Sequence, residues 1–121
     1  MVPSHGRYRV AMAYDEALAE RIRSRIGSHP ALAEKEMFGG IGFMIAGNMA
    51  VGVTGRELMV RVGKEAHAEA VARRGARIMD FTHRPMVGWI VVAEEGLRDD
   101  ESFGGWVDEG VRFAESLPPK G

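Results

Sequence analysis

The stretch MFGGIGFMIAGNMAVGV, residues 37–53, decides the fold that this sequence predicts. Two apolar runs flank the tight turn Ala46-Gly47-Asn48, a pattern typical of two antiparallel strands joined by a short connection. Glycines stand at interior strand positions, where they weaken pairing and usually mark a bend or a close approach to the backbone. The stretch carries no acid, base or nucleophile. It therefore indicates architecture and carries little information about chemistry.

The composition is that of one globular domain. A chain of 121 residues has room for a single domain, and its hydrophobic (45%) and charged (27%) fractions are ordinary for a folded protein. The formal net charge of -1 gives no general attraction to nucleic acid or to an anionic membrane. The absence of cysteine excludes disulfides, a thiolate nucleophile and a cysteine-based zinc site. No apolar run is long enough for a membrane span, so we expect a cytoplasmic protein without membrane contact.

The N-terminal part of the chain divides at about residue 12. The first eleven residues are polar and lack periodicity, so we predict residues 1–11 to be an extension outside the core fold. Residues 12–121 then form the single domain. Its first helix is predicted over residues 15–26, with Asp15 as the N-cap and Gly27 as the stop signal.

The alternation of residue types along the chain and the positions of turn residues predict the remaining helices and strands. They are strands at residues 37–45, 49–53 and 58–63, a short helix at 64–74, a strand and turn at 76–85, a strand at 86–92, and a final helix capped at Asp99-Asp100. The order helix–three strands–helix–two strands–helix is typical of an α+β two-layer sandwich. The predicted sheet is largely antiparallel and five-stranded.

The strand at 86–92 is the strongest in the chain because it is apolar on both faces. One face is predicted to carry Met86, Ile90 and Val92, and the other Val87, Trp89 and Val91. A single helical layer covers only one face of a sheet, so a second subunit is the simplest cover for the other. We therefore expect a homodimer with this second face in its interface. The alternative is that the N-terminal extension or helix 1 covers the face within one subunit.

Several segments of the sequence, taken in their order along the chain, carry a resemblance to a known family. They are KEMFGGIGF at 35–43, LMVRVG at 58–63, MDFTHRPM at 79–86 with Gly88-Trp89, and the stretch from Trp106-Val107 to Ser116-Leu117-Pro118. Together they resemble the N-terminal domain of the TfoX/Sxy family of bacterial competence regulators. The resemblance implies the same sandwich, related to secretion-chaperone-like folds, which often dimerise. Longer family members carry a second, C-terminal helical domain that this sequence lacks, so we expect a stand-alone TfoX N-terminal domain protein. The resemblance supplies no catalytic residues.

The nearest approach to a polar site is a candidate interaction patch. It comprises Arg61, Asp80, Phe81, His83, Arg84 and Trp89. An arginine beside aromatic rings suits a carboxylate, a phosphate or a partner protein. The alternative is a structural turn in which Asp80 accepts hydrogen bonds from backbone amides and Pro85 fixes the chain direction.

Arg61 has two further interpretations. It lies on the strand face that glycine and alanine leave thin, where an ion pair with Asp80 or Glu36 is expected. The alternative is that Arg61 lines a shallow pocket beside Gly40 and Gly42.

Other groups that could carry chemistry have simpler structural interpretations. The eight methionines are interpreted as core filler, with a dimer face as the alternative. The four histidines are scattered without metal-ligand spacing, so no metal and no cofactor are expected. The arginines of the first helix are expected to form a solvated face; they are Arg21, Arg23 and Arg25. Those at the end of the second helix are expected to complement the negative pole of its C-terminus; they are Arg73, Arg74 and Arg77.

These observations predict a non-enzymatic regulatory or protein-interaction module that forms a homodimer and binds a protein partner that the sequence does not name. No nucleophile and base stand at a spacing that indicates catalysis. One alternative is a nucleic-acid-binding transcriptional regulator that uses the region of Arg73, Arg74 and Arg77. Direct DNA binding by this domain alone is not expected, because no groove-reading element is evident. The other alternative is a small-ligand binder or uncharacterised enzyme around Arg61, Asp80 and Arg84.

Overall fold

The computed structural model describes residues 14–37, 39–81 and 83–120 of the chain. The predicted N-terminal extension, residues 1–11, lies outside the described residues. The described part holds three α-helices and six strands, in the order α1 (Glu16–Ile26), β1 (Leu32–Met37), β2 (Gly40–Ile45), β3 (Asn48–Thr54), β4 (Glu57–Arg61), α2 (His67–Val71), β5 (Ala76–Phe81), β6 (Arg84–Val92) and α3 (Asp100–Glu115). A 3-10 helix, Glu94–Gly96, precedes α3.

The strands form one antiparallel sheet in the order β1-β2-β3-β4-β6-β5. Strand β6 pairs with β4, which leaves β5 at one edge and β1 at the other. The α+β sandwich and the order of its predicted elements are therefore confirmed. The sheet has six strands where five were expected.

The extra strand is β1, which precedes the predicted strand at 37–45 and forms a hairpin with it. Strand β1 ends at Met37, which pairs with Gly40 at the start of β2. Gly39 lies in the turn with a φ of 75°, a conformation that glycine adopts without steric cost. Residues 33–36 of β1 are exposed and three of them are charged, as is common in an edge strand. Strand β1 therefore lacks the alternation that predicts strands.

The second helix is also shorter than expected. It was predicted over residues 64–74, but α2 spans only His67–Val71. Its inward face is the predicted one, because Ala70 is buried and Ala66 and Val71 pack against the core. The chain then turns at Gly75 into β5, as expected from the stop signal.

The core lies between one face of the sheet and the helices. The sheet contributes large, fully buried side chains: Phe43, Val51, Val53, Leu58, Val60, Ile90 and Val92. Helices α1 and α3 contribute Ile22, Trp106 and Val107 from the other side. Burial of this apolar area is the main favourable term in folding. Within the described residues, no helix has the length and apolar composition needed to cross a membrane.

The two long helices begin at the predicted caps. Asp15 Oδ1 accepts hydrogen bonds from the amides of Ala17 (2.9 Å) and Leu18 (3.2 Å). Asp99 Oδ2 accepts one from the amide of Ser102 at 2.9 Å. These bonds satisfy amides that a helix N-terminus leaves without partners, so both caps stabilise their helices.

The arginines of α1 do more than form a solvated face. Arg25 holds Asp108 of α3 through two hydrogen bonds of 3.0 and 2.6 Å. Arg23 holds Glu34 of β1 through two bonds of 2.7 and 2.9 Å. The ion pairs therefore tie α1 to its neighbour helix and to the edge strand.

Candidate binding face of the sheet

The face of the sheet opposite the helices carries an apolar depression of about 440 Å³. We call it the methionine depression, since its main lining residues are Met37, Met49, Met59, Met79, Met86 and Trp89. Because side chains alternate along a strand, β4 places Leu58 and Val60 in the core and Met59 in the depression. In β6 the same alternation places Ile90 in the core and Val91 in the depression.

Glycines form the floor beside the depression. Gly42 of β2 and Gly52 of β3 pair across the two strands. A Cβ atom at residue 52 would lie 2.5 Å from the Met49 methyl carbon and 2.8 Å from that of Met59. The methionine side chains therefore lie flat on backbone that carries no side chain of its own. The close approach to the backbone that the interior glycines predict is confirmed.

The interpretation of the methionines as core filler is wrong for the five that line the depression. They lie on the face away from the helices, and only Met59 among them is counted with the buried residues. In β4 the alternation of Met59 with core residues indicates that Met59 faces away from the core. The same alternation could not be used for Met37, because strand β1 was not predicted, or for Met86, because β6 changes register.

The register change in β6 corrects the predicted grouping of Met86 with Ile90 and Val92. Ile78 pairs with Ile90, but the next residue of β5, Met79, pairs with Met86. Residues 87–89 therefore form a bulge, and a bulge changes which face the following side chains meet. Met86 consequently lies in the depression while Ile90 and Val92 lie in the core.

Hydrogen bonds hold this bulge and so position Trp89. Gly88, with a φ of 91°, donates its amide hydrogen to His67 Nδ1 at 2.9 Å. Its carbonyl oxygen accepts from the amides of Val62 (2.8 Å) and Gly63 (3.1 Å). Because Nδ1 accepts a hydrogen bond, the His67 proton lies on Nε2. The residue before Trp89 is thus fixed by three bonds from α2 and from the segment after β4.

The polar part of the depression is dominated by one ion pair. Arg77 of β5 donates to Glu57 of β4 through two hydrogen bonds of 2.9 and 2.7 Å, across the intervening strand β6. These bonds hold the pKa of Glu57 below its ordinary value, against the opposing effect of partial burial. The same pair raises the pKa of Arg77. The pair leaves neither group available as a proton donor or acceptor near neutral pH.

Arg61 does not form the expected ion pair. Among the described residues, neither Asp80 nor Glu36 lies within salt-bridge distance of it. Its guanidinium carbon lies 5.2 Å from the ring centre of Trp89 and 5.5 Å from that of Phe113 in α3. Arg61 therefore packs between two aromatic rings at the end of β4, outside the lining of the depression.

The rest of the predicted patch lies at the β5–β6 hairpin. Phe81 pairs with Arg84 at its end, and Asp80 pairs with Pro85. His83 has a φ of 62° in the turn and is exposed, as are Asp80 and Arg84. Of the five predicted residues whose side chains the structure describes, Asp80 and Trp89 line the depression, whereas Arg61, His83 and Arg84 do not. Arg84 stands at the tip of the hairpin and Trp89 at the far end of the bulge at 87–89, so the predicted residues do not form one patch.

The arginines proposed for nucleic-acid contact are largely neutralised. Arg73 donates to Glu69 through bonds of 2.9 and 2.6 Å and lies 2.9 Å from a Glu109 oxygen. Its guanidinium also lies 4.4 Å from the ring centre of Trp106. Arg77 is paired with Glu57, as described above. These contacts favour a structural role over phosphate binding.

Comparison with known proteins agrees with the fold. The family model of the TfoX N-terminal domain matches residues 25–114, which span β1 to β6 and most of α3. No curated protein and no solved structure matches the chain. The family match covers well over half of the 121 residues and includes every strand of the sheet. The chain therefore belongs to the TfoX N-terminal domain family.

Proposed function

We propose that this domain is a non-enzymatic regulatory module of the competence-regulator type, which acts in the bacterial cytoplasm by binding protein. In this proposal the binding surface is the open face of the sheet, and its first occupant is a second copy of the chain. The observation that carries the proposal is the methionine depression, an apolar hollow of about 440 Å³ with no helix over it among the described residues.

The chemistry of the depression supports recognition rather than catalysis. Thioethers and an indole ring line it, and its one strong ion pair is internally neutralised. Methionine side chains are flexible and polarisable, and they recur at surfaces that adapt to a partner. Exposed apolar patches with a polar rim commonly mark protein interaction sites.

A second copy fits this face for two physical reasons. Val87, the one large hydrophobic residue found exposed in the described chain (56%), lies between Met86 and Trp89 on the same strand. We propose that it meets the depression of a copy related by a two-fold axis. The lining also carries both signs of charge, with Arg77 on the one hand and Glu57 and Asp80 on the other. A two-fold axis can place such unlike charges opposite each other.

Sedimentation velocity of the wild type and of Val87→Glu tests the proposal. Val87 is exposed, so the variant is expected to fold with an unchanged melting temperature, yet its charge would enter an apolar interface. The wild type is expected to sediment as a dimer at tens of micromolar, and Val87→Glu as a monomer.

The matched control is Ala17→Glu, which adds the same charge at an exposed position of α1 on the helical side. It is expected to remain dimeric. A monomeric wild type would overturn the homodimer. A Val87→Glu variant that stays a folded dimer would move the interface away from this face, with the free edge of β5 as the next site to test.

A further inference from the structure

A second cavity, of about 330 Å³, lies on the helical side of the molecule where α1 begins. Three arginines from separate parts of the chain meet there: Arg21 from α1, Arg56 from the β3–β4 turn and Arg98 from the segment before α3. Its apolar walls come from Leu18 and Leu97. Neither the family match nor the open face of the sheet accounts for this convergence.

These arginines are more weakly neutralised than the four that form paired hydrogen bonds to carboxylates. Arg23, Arg25, Arg73 and Arg77 each hold a carboxylate through paired hydrogen bonds no longer than 3.0 Å. Arg21, in contrast, has one contact of 3.3 Å, to the fully exposed carboxylate of Asp100. Such a contact is easily exchanged for a better anion.

The other two arginines of the cavity are paired with carboxylates even more weakly, or not at all. Arg56 lies 3.9 Å from Glu94, with both side chains well exposed. Arg98 forms no salt bridge to any described residue. Exposed pairs at such distances contribute little, so the guanidinium groups keep most of their hydrogen-bonding capacity.

The carboxylates at the cavity do not cancel this positive charge. Asp15 and Glu94 are the two acids in its lining. Asp15 already accepts two hydrogen bonds from the first amides of α1, which fixes it as the helix cap. Two lining carboxylates therefore face three guanidinium groups, which leaves the lining with a formal excess of one positive charge.

We infer that this cavity binds the phosphate group of a small molecule. The guanidinium fork matches phosphate oxygens in pairs, and three such groups around one hollow can hold a multiply charged anion. The guanidinium carbon of Arg21 lies 4.0 Å from the centre of the Phe103 ring, which lines an adjacent hollow, so this cation–π contact restrains Arg21 at the edge of the cavity. A concave site of this size suits a small molecule, whereas a duplex backbone requires an extended basic surface.

Calorimetric titration with pyrophosphate, in chloride buffer at physiological ionic strength, tests the inference. The wild type is expected to bind saturably, and NMR amide shifts should move at Leu18, Arg56 and Arg98. Arg56→Gln and Arg98→Gln are each expected to weaken binding by about tenfold, because each removes a charge-assisted contact. The control Arg112→Gln removes an exposed arginine of α3 outside the cavity and should leave the affinity unchanged.

Three results would overturn the inference. The first is no saturable binding of pyrophosphate at millimolar concentrations. The second is an equal loss of affinity in Arg112→Gln, which would indicate general charge attraction. The third is weakened binding of duplex DNA by Arg56→Gln and Arg98→Gln without any binding of pyrophosphate, which would assign the arginines to a nucleic-acid surface. Val87→Glu, on the open face, should bind pyrophosphate like the wild type, so this test is independent of the dimer.

Discussion

Trp106 is one of the buried residues through which α3 packs on the core. Its side chain is 3% exposed within the core, and Arg73 lies over its ring. Trp106→Ala is expected to lower the free energy of unfolding by about 3–5 kcal/mol, because it empties a buried aromatic site. Chemical denaturation measures the loss, and Trp106→Phe, which keeps a ring, should lose less. An unchanged midpoint for the alanine variant would contradict the placement of α3 on the core.

Alanine substitutions at two glycines of β2, Gly40 and Gly42, are expected to differ in their effect on stability. A Cβ atom at residue 40 would overlap the carbonyl oxygen of Val53, whereas at residue 42 it would meet only methionine side-chain atoms, the nearest at 3.2 Å. A backbone carbonyl in a sheet cannot move aside, whereas a methionine side chain can change its rotamer. Gly40→Ala is therefore expected to cost about 1–3 kcal/mol, and Gly42→Ala less than about 0.5 kcal/mol.

Thermal denaturation of the two variants measures this difference. Equal melting temperatures would show that β2 and β3 are not packed as closely at Gly40 as the structure has them. The same comparison tests whether the methionines over Gly42 can rearrange, which a surface that adapts to its partner requires.

At the scale of elements, the Glu57–Arg77 pair links β4 to β5 across β6 and predicts a pH dependence. The pKa of Glu57 in the folded protein lies below its ordinary value of 4.5. The pair therefore stabilises the fold above that value, and this contribution is lost as the pH falls through the lowered pKa. Because both side chains are partly exposed, Glu57→Gln should cost only about 0.2–1 kcal/mol at pH 7.

Urea unfolding of wild type and Glu57→Gln at pH 7 and in the acid range measures this contribution. The difference between the two proteins is expected to shrink on acidification and to vanish once Glu57 is protonated in both states of the wild type. The control Glu65→Gln removes an exposed carboxylate without a salt bridge to a described residue. A difference for Glu57→Gln that persists in acid would contradict the pair as its source.

Elements whose signals are local could be predicted from the sequence. Asp15, Gly27 and Asp99 mark helix ends through their own side chains or backbone, and the structure has all three in those places. Strand β1 could not be predicted, because an exposed edge strand of charged residues needs no apolar alternation. The bulge at Gly88 was missed for a different reason. It depends on hydrogen bonds to His67 and to the segment after β4, which only the folded chain brings together.

The candidate site, too, could be predicted from the sequence only where its features are local. That the second face of the sheet is apolar could be predicted from Trp89 and Val91 in a single strand. The depression itself could not, because its methionines come from β1, β3, β4, β5 and β6 and meet only through the sheet order. The six-residue patch failed as a unit for the opposite reason. Arg84 and Trp89 are close in sequence, but Arg84 stands at the hairpin tip and Trp89 at the far end of the bulge.

The whole molecule has one covered and one open side. Helices cover one side of the sheet, and the cavity of Arg21, Arg56 and Arg98 is one of the hollows on that side. The other side presents the methionine depression, and the exposed Val87 stands in the chain between two of its lining residues, Met86 and Trp89. The account thus assigns protein recognition to the open side and small-anion binding to the helical side, and each assignment can fail without the other.

The central claim is that the methionine depression is the surface on which two copies meet. The most direct measurement is an isotope-filtered NOE experiment on a mixture of unlabelled protein and protein labelled with ¹³C at its methionine methyl groups. The account predicts NOEs between subunits from the methyls of Met49, Met59 and Met86, with Val87 of the other copy among their partners. NOEs between subunits that arise only from residues outside the depression, or none at all in a dimeric sample, would contradict it.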